Sequence, residues 1–227
     1  MKTYNKSLHT SDYAEQGMGY WLYLYDYIVW SNTVPYMPNP HIHRRWEYAM
    51  AMEFLKDLRE DVGGKDTMTV LDVGGAGSIF GPLAMHVGFK LTVVDPDPCV
   101  HMLAGQIRAT NAGMGGISIC EDFMQWQGDQ YDAVVSLSTI EHVEEDVPFL
   151  QKLASHAKLG LFLTTDFSMD GGIYSVAHLR TYTPKTMKNK LAEALPKEWK
   201  YAGDPEWIDN GPFVAGYNFA SLGMAKE

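Results

Sequence analysis

Residues 69–81 read "TVLDVGGAGSIFG": an apolar run ending on an aspartate, then a turn with three of its four glycines packed into positions 74–77. An apolar, β-branched run of this length is a buried strand, and glycines directly after it let the backbone bend sharply or approach a ligand. A tight turn alone would explain the glycines, and so would a nucleotide-like cofactor lying on the backbone. Asp72 separates the two uses. A dinucleotide loop delivers pyrophosphate to the following helix N-terminus, where an adjacent carboxylate repels it. An acid at this point favours a ligand that carries positive charge.

Downstream of this stretch the chain alternates strand and helix. "MTVLDV", "KLTVVD", "GISIC", "YDAVVSLS" and "GLFLTTDF" read as strands. "FGPLAMHVG", "PCVHMLAGQIRATNAG" and "VEEDVPFLQKLASHAK" read as the helices between them. Thr183 and Pro184 open a further helix as N-cap and first helical residue. The tail "GPFVAGYNFASLGMAKE" alternates as one or two late strands. Strands separated by helices predict an α/β fold: a Rossmann-like, doubly wound, mostly parallel sheet covered on both faces.

Residues 1–65 differ in kind. From Met1 to Tyr48 there are eleven Tyr and Trp residues and no Phe, a composition suited to half-wet surfaces such as interfaces and clefts. "GYWLYLYDYIVWSN" is open to helix or strand, "PYMPNPH" is an irregular connection, and "RRWEYAMAMEFLKDLRED" carries a helical apolar pattern. The expected organisation is an aromatic, helical N-terminal cap over 1–65 and a ligand-binding domain over 66–227. The cap is read as a lid over the strand ends, with Trp46 against an acceptor; a homodimer interface is the alternative use of the same surface.

The bulk properties exclude several classes. A net charge of −10 and a pI near 5.2 oppose broad binding to phosphate backbones. The apolar run "YWLYLYDYIVW" is eleven residues long and contains Asp26, too short to span a membrane. Cys99 and Cys120 give neither a disulfide framework nor a CxxC metal spacing. With no charged-then-apolar leader at the start, a cytoplasmic protein is expected.

Three further features bear on the ligand. Asp95 with Pro96 ends the second strand, 23 residues beyond Asp72, where a carboxylate accepts ribose hydroxyls. Asp122 and Phe123 follow the third strand and suit an adenine, the acid toward its amino group and the ring against its plane. "YDAVVSLSTIEHV" ends a strand in small hydroxyl residues and follows it with a Glu-His pair. An adenosyl ligand bearing an ammonium and a sulfonium, S-adenosylmethionine (SAM), meets the demands of Asp72 and Asp95 together.

"VLDVGGAG", "LTVVDPD", "CEDF" and "YDAVVSLSTIEHV", in that order and spacing, resemble the class I SAM-dependent methyltransferases, over residues 66–225. The resemblance implies a seven-stranded sheet with an antiparallel last strand. It places the methionine end of SAM on Asp72, Gly74, Gly75 and Ala76, the ribose on Asp95 and Pro96, the adenine on Asp122 and Phe123, with Ser138 at the end of the fourth strand. The loop departs from the family, which has glycine where this chain has Ala76 and Ser78. The activity implied is methyl transfer to oxygen, less readily nitrogen, of a small-molecule or glycan-like acceptor. His142 is the expected base, and His178, Arg180 and Tyr182 the expected acceptor contacts. No metal is expected, because Ser138 stands where the small-RNA 2′-O-methyltransferases have the first Glu of Glu-x-x-Glu-His. The competing assignments are an NAD(P)-dependent oxidoreductase, opposed by Asp72, and a SAM-binding sensor or partner protein without catalysis.

Overall fold

The computed structural model describes residues 2–14, 16–30, 44–64, 67–76, 78–101, 116–172, 178–208 and 218–227. Its centre is a seven-stranded sheet of β1 (Thr69–Val73), β2 (Lys90–Asp95), β3 (Ile117–Cys120), β4 (Tyr131–Leu137), β5 (Ala157–Phe167), β6 (Trp199–Tyr201) and β7 (Asn218–Lys226), in the order β3-β2-β1-β4-β5-β7-β6. All neighbours pair in parallel except β7, which runs antiparallel to both β5 and β6. The seven-stranded arrangement with its reversed strand is as expected; β6 has only three residues and carries no pattern of its own in the sequence.

Parallel strands buried on both faces need continuous apolar runs, and the strands meet that need by sending alternate residues to opposite sides. Val70, Ala133, Val135, Phe162 and Phe219 join one core cluster; Leu71, Val134, Leu161, Leu163 and Leu222 join the other. The first cluster is covered by α1 (Gln16–Trp30), α2 (Arg44–Asp61) and α3 (Phe80–His86), and the second by α4 (Asp146–His156) with the helical turns that begin at Pro184. Those turns start as the sequence predicts. Thr183 and Thr186 cap each other reciprocally, and Pro184 takes the first position. Of the predicted helix over 98–113, all but residues 98–101 falls outside the described residues.

The aromatic run resolves as a helix. Met18, Trp21, Tyr25 and Ile28 lie on one buried face of α1, while Tyr20, Tyr23 and Tyr27 are exposed on the other. On α2, Phe54 packs on Phe162 of β5 with ring centroids 5.4 Å apart. Burying each such ring contributes roughly 1.5–3 kcal/mol. The N-terminal strip crosses the far side of the sheet, where the Tyr4 and Leu8 amides donate to Ala202 and Phe219 carbonyls at 2.9 and 2.8 Å. The N-terminal strip, α1 and α2 therefore share the core of the sheet, and the first turn of α2 reaches the carboxyl ends of β4 and β5. Strand order reverses between β1 and β4, and ligands of doubly wound sheets bind at the carboxyl ends beside that point. Among the described residues, no helix is long and apolar enough to cross a membrane.

Candidate active site

At the end of β1 the glycines have separate tasks. Gly74 takes φ +79°, and a Cβ there would lie 2.3 Å from Thr139 Oγ1. Its amide donates to the Val94 carbonyl at 2.9 Å, tying the turn to β2. A Cβ on Gly75 would lie 2.1 Å from Asp72 Oδ2, so this glycine leaves the space that the carboxylate fills. Asp72 is 1% exposed, and its Oδ2 has no hydrogen-bond partner. Burial, reinforced by Asp95, pushes its carboxyl up to about 8. A desolvated acid with a free oxygen beside a glycine turn is a fitting counterpart for a cationic group.

Asp95 is buried at the end of β2 and grips backbone on both sides. Its Oδ2 accepts from the Ala76 amide at 3.0 Å and its Oδ1 from the Asp97 amide at 2.8 Å. Each oxygen keeps a second lone pair for a ligand hydroxyl. Pro96 beside it is exposed, as is Asp122, whose Oδ1 accepts from the Met124 amide at 2.9 Å. Carboxylates thus line the ends of β1, β2 and the loop after β3.

The ends of β4 and β5 hold a different arrangement. Ser138 follows β4 in a left-handed conformation, φ 47°, and donates through Oγ to Glu47 Oε1. Thr164 Oγ1 donates to the same oxygen at 2.7 Å. Glu47 belongs to α2, so the N-terminal region reaches directly into the strand ends. Thr165 Oγ1 donates to Glu141 Oε2 at 3.3 Å. His178 Nδ1 lies against Asp166 Oδ2 at the end of β5, and the His142 ring meets the His178 ring edge-on with centroids 4.7 Å apart. His142 is exposed, whereas Glu47, Glu141 and Asp166 are buried.

Electrostatics couple these groups. Burial, then Glu47, pushes Asp166 up to about 7, with Arg44 opposing. Burial and Asp166 drive Glu141 well above the usual carboxylate range. Burial pulls the Arg44 guanidinium down, but Glu47, Tyr48, Glu141 and Asp166 together more than offset it. The His178 imidazole is held low by burial, then by His142 and Arg44, which favours its neutral form.

Four expected contacts have other partners. Arg180 donates to the carbonyls of Ile140, Val143 and Glu144 and pairs with Asp146 at 3.7 Å, so its fork braces the 140–145 turn and is not presented to an acceptor. Tyr182 is buried with its hydroxyl on Asp146 Oδ2 at 2.8 Å, a core bond in place of the expected acceptor contact. Trp46 is fully buried and donates to Asp12 Oδ2 at 2.8 Å, which makes it part of the core and no stacking surface. The Phe123 ring packs on Phe149, Trp126 and His156, beneath the sheet edge, so its plane is not open to an adenine. His142 and His178 do meet, while Ser138 faces Glu47 and Thr164.

Arg44, Glu47, Glu141 and Asp166 went unassigned in the sequence. A signal was there for Glu47: it shares its stripe of α2 with Met50, Ala51 and Phe54, all buried, and an acid on an apolar helical face demands a partner.

No protein-family profile matches the chain, and no curated protein matches it. Solved structures match throughout the fold. Magnesium protoporphyrin IX methyltransferase (ChlM) from Synechocystis PCC 6803, solved with bound SAM, superposes at a TM-score of 0.57 with 18% identity, over 90% of this chain and 96% of that one. The 1,6-didemethyltoxoflavin-N1-methyltransferase of Burkholderia thailandensis, solved with 1,6-didemethyltoxoflavin and S-adenosylhomocysteine (SAH), gives 0.58 and 16%, over 77% and 76%. This is the class I SAM-dependent methyltransferase fold. The [4+2]-cyclase SpnF shares it, with a TM-score of 0.59 and 16% identity over 99% of both chains, so the fold is compatible with more than one chemistry.

Proposed function

We propose that the chain transfers the methyl of SAM to a heteroatom, oxygen ahead of nitrogen, of a small-molecule acceptor. The observation that carries this reading is the buried, partnerless Oδ2 of Asp72 beside the glycine turn. Asp72, Gly74, Gly75 and Ala76 would hold the amino-acid end of the cofactor, Asp95 and Pro96 the ribose, and Asp122 the adenine amino group, with Ser138 closing the far wall. When bound, SAM supplies the activated methyl group. A phosphate-bearing nicotinamide cofactor fits poorly, since Asp72 would repel its pyrophosphate.

The protein's part is to align the acceptor and take its proton. Alignment of reacting groups is worth roughly 7–11 kcal/mol. The proton goes to the His142–His178 pair. Asp166 against Nδ1 favours His178 as its destination, because the carboxylate stabilises the imidazolium that forms. A positioned base of this kind contributes about 10²–10⁴ in rate. The first turn of α2 closes over the ends of β4 and β5, with Glu47 as the anchor that fastens it to Ser138 and Thr164.

Calorimetric titration with SAM, SAH and NAD tests the cofactor. Binding of both adenosyl ligands and its loss in Asp95→Ala is the expected result; binding of NAD alone sinks the proposal. SAH release should then be screened over small-molecule acceptors with wild type, His142→Ala and His178→Ala. A protein that binds SAM but releases no SAH with any acceptor would favour a different reaction on the same fold, for which SpnF is the precedent.

A further inference from the structure

Among the described residues, Ser138 alone takes a positive φ without being glycine. At φ 47° it holds a conformation that costs a residue with a side chain about five- to thirtyfold in population. Such outliers persist only where the surroundings over-determine them. The Ser138 amide donates to the Thr164 carbonyl at 3.2 Å and to Thr164 Oγ1 at 3.1 Å. Its hydroxyl donates to Glu47 Oε1, the atom that also receives Thr164 Oγ1 at 2.7 Å. Glu47 is fully buried and comes from α2, so one carboxylate oxygen ties that helix to the ends of β4 and β5 at the residue where the chain turns.

The turn delivers Thr139 to two places. Its Oγ1 donates to the Val73 and Leu137 carbonyls at 3.4 and 3.2 Å. Its side chain fills the space in front of Gly74, where a Cβ would lie 2.3 Å from Oγ1 and 2.6 Å from Cγ2. The Thr139 carbonyl accepts from the His142 amide at 3.0 Å, which closes the single turn Ile140–His142 and sets the His142 ring against His178. One residue therefore touches the glycine turn through its side chain and fixes the histidine turn through its backbone. Building on the methyltransferase reading, we propose that Glu47 is a positioning residue: by holding Ser138 left-handed it seats Thr139 against Gly74, and so couples the docking of α2 to the shape of the cofactor turn. Glu47 acts through Ser138 and not on a ligand. Alanine at 138 loses the hydroxyl and keeps the backbone cost, whereas glycine loses the same hydroxyl and adopts the conformation unaided.

That pair of substitutions gives the test, read by calorimetric titration with SAH well below each variant's melting temperature. Ser138→Ala should weaken SAH binding by about five- to tenfold, and Ser138→Gly should bind about fivefold more tightly than Ser138→Ala. Glu47→Ala should weaken binding by about tenfold, and adding Ser138→Gly to it should recover about threefold or more. A merely structural role lowers the melting temperature, leaves the affinity of the folded protein unchanged and does not favour glycine over alanine. Should Glu47→Ala fail to fold, the two Ser138 variants carry the test. Equal affinities for Ser138→Ala and Ser138→Gly, wild-type affinity in Glu47→Ala, or no recovery in the double variant would overturn the proposal. Failure of the wild type to bind SAH is a separate result and defeats the methyltransferase reading. The joint is then read by NMR of histidine-labelled protein: the His142 ring resonances should shift in Ser138→Ala and return toward wild type in Ser138→Gly, and an unmoved His142 in both would overturn it.

Discussion

The two ends of the site are built on opposite plans. The end at β1 and β2 is made of backbone: a left-handed Gly74, a Gly75 that makes room for Asp72, and an Asp95 that grips the Ala76 and Asp97 amides. The end at β4 and β5 is made of side chains from four separate segments, Arg44 and Glu47, Ser138 to His142, Thr164 to Asp166, and His178. The first arrangement tolerates little change in main-chain geometry but imposes nothing on an acceptor. The second can be rewritten residue by residue. The proposed function, a constant cofactor with a variable acceptor, calls for that division.

The comparison breaks most readily at Gly75. A methyl there would sit 2.1 Å from Asp72 Oδ2 and drive the carboxylate out of its place. Overpacking of this kind costs about 1–3 kcal/mol. Gly75→Ala should therefore weaken SAH binding by about tenfold to a hundredfold in calorimetry. An unchanged affinity would mean that the β1 end does not depend on its backbone, and the contrast would lose one side.

Protonation sharpens it next. Asp72 is raised from 3.8 to about 8 and Asp166 from 3.8 to about 7, and Glu141 moves in the same direction. The folded chain therefore keeps protons that the unfolded chain has released. The stability these acids contribute is complete below their unfolded values and is lost as pH climbs through the folded ones. His178 has the opposite sign, but its effect lies below its ordinary value of 6.5. Between about pH 6.5 and 8 the ligand-free protein should thus melt at falling temperature as pH rises. Asp72→Asn should flatten that slope and exceed wild type at pH 8 by on the order of 1–3 kcal/mol, while losing SAH binding. A melting temperature that rises over this window would show that Asp72 is not held as a strained acid.

The same division decides what could be read from the sequence. Asp72, the glycines and Asp95 lie within one strand-turn-helix-strand segment, where spacing alone dictates proximity. The mostly parallel sheet followed from alternation, and its seven strands with the reversed β7 from the resemblance. Glu47 and Thr164 are 117 positions apart, and no local pattern brings them together. Arg180 and Tyr182 misled for the reverse reason. Their chemistry suits an acceptor, but the guanidinium is taken up by carbonyls of the turn over 140–145, from across the fold.

That brace gives the smallest effect and a clean control. Tyr182 donates to Asp146 Oδ2, which also receives Lys190 Nζ at 2.7 Å, and Arg180 joins Asp146 to the turn that carries Glu141 and His142. Removing the hydroxyl in Tyr182→Phe leaves Asp146 with Lys190 and Arg180, so no buried charge is stranded. The expected loss is about 1 kcal/mol, or about 2–4 °C in melting temperature. SAH affinity should stay within about twofold of wild type, since the phenyl ring still fills its place in the core. A tenfold fall would put Tyr182 back within the site, and the β4–β5 end would then extend through Asp146 to the helical turns that begin at Pro184.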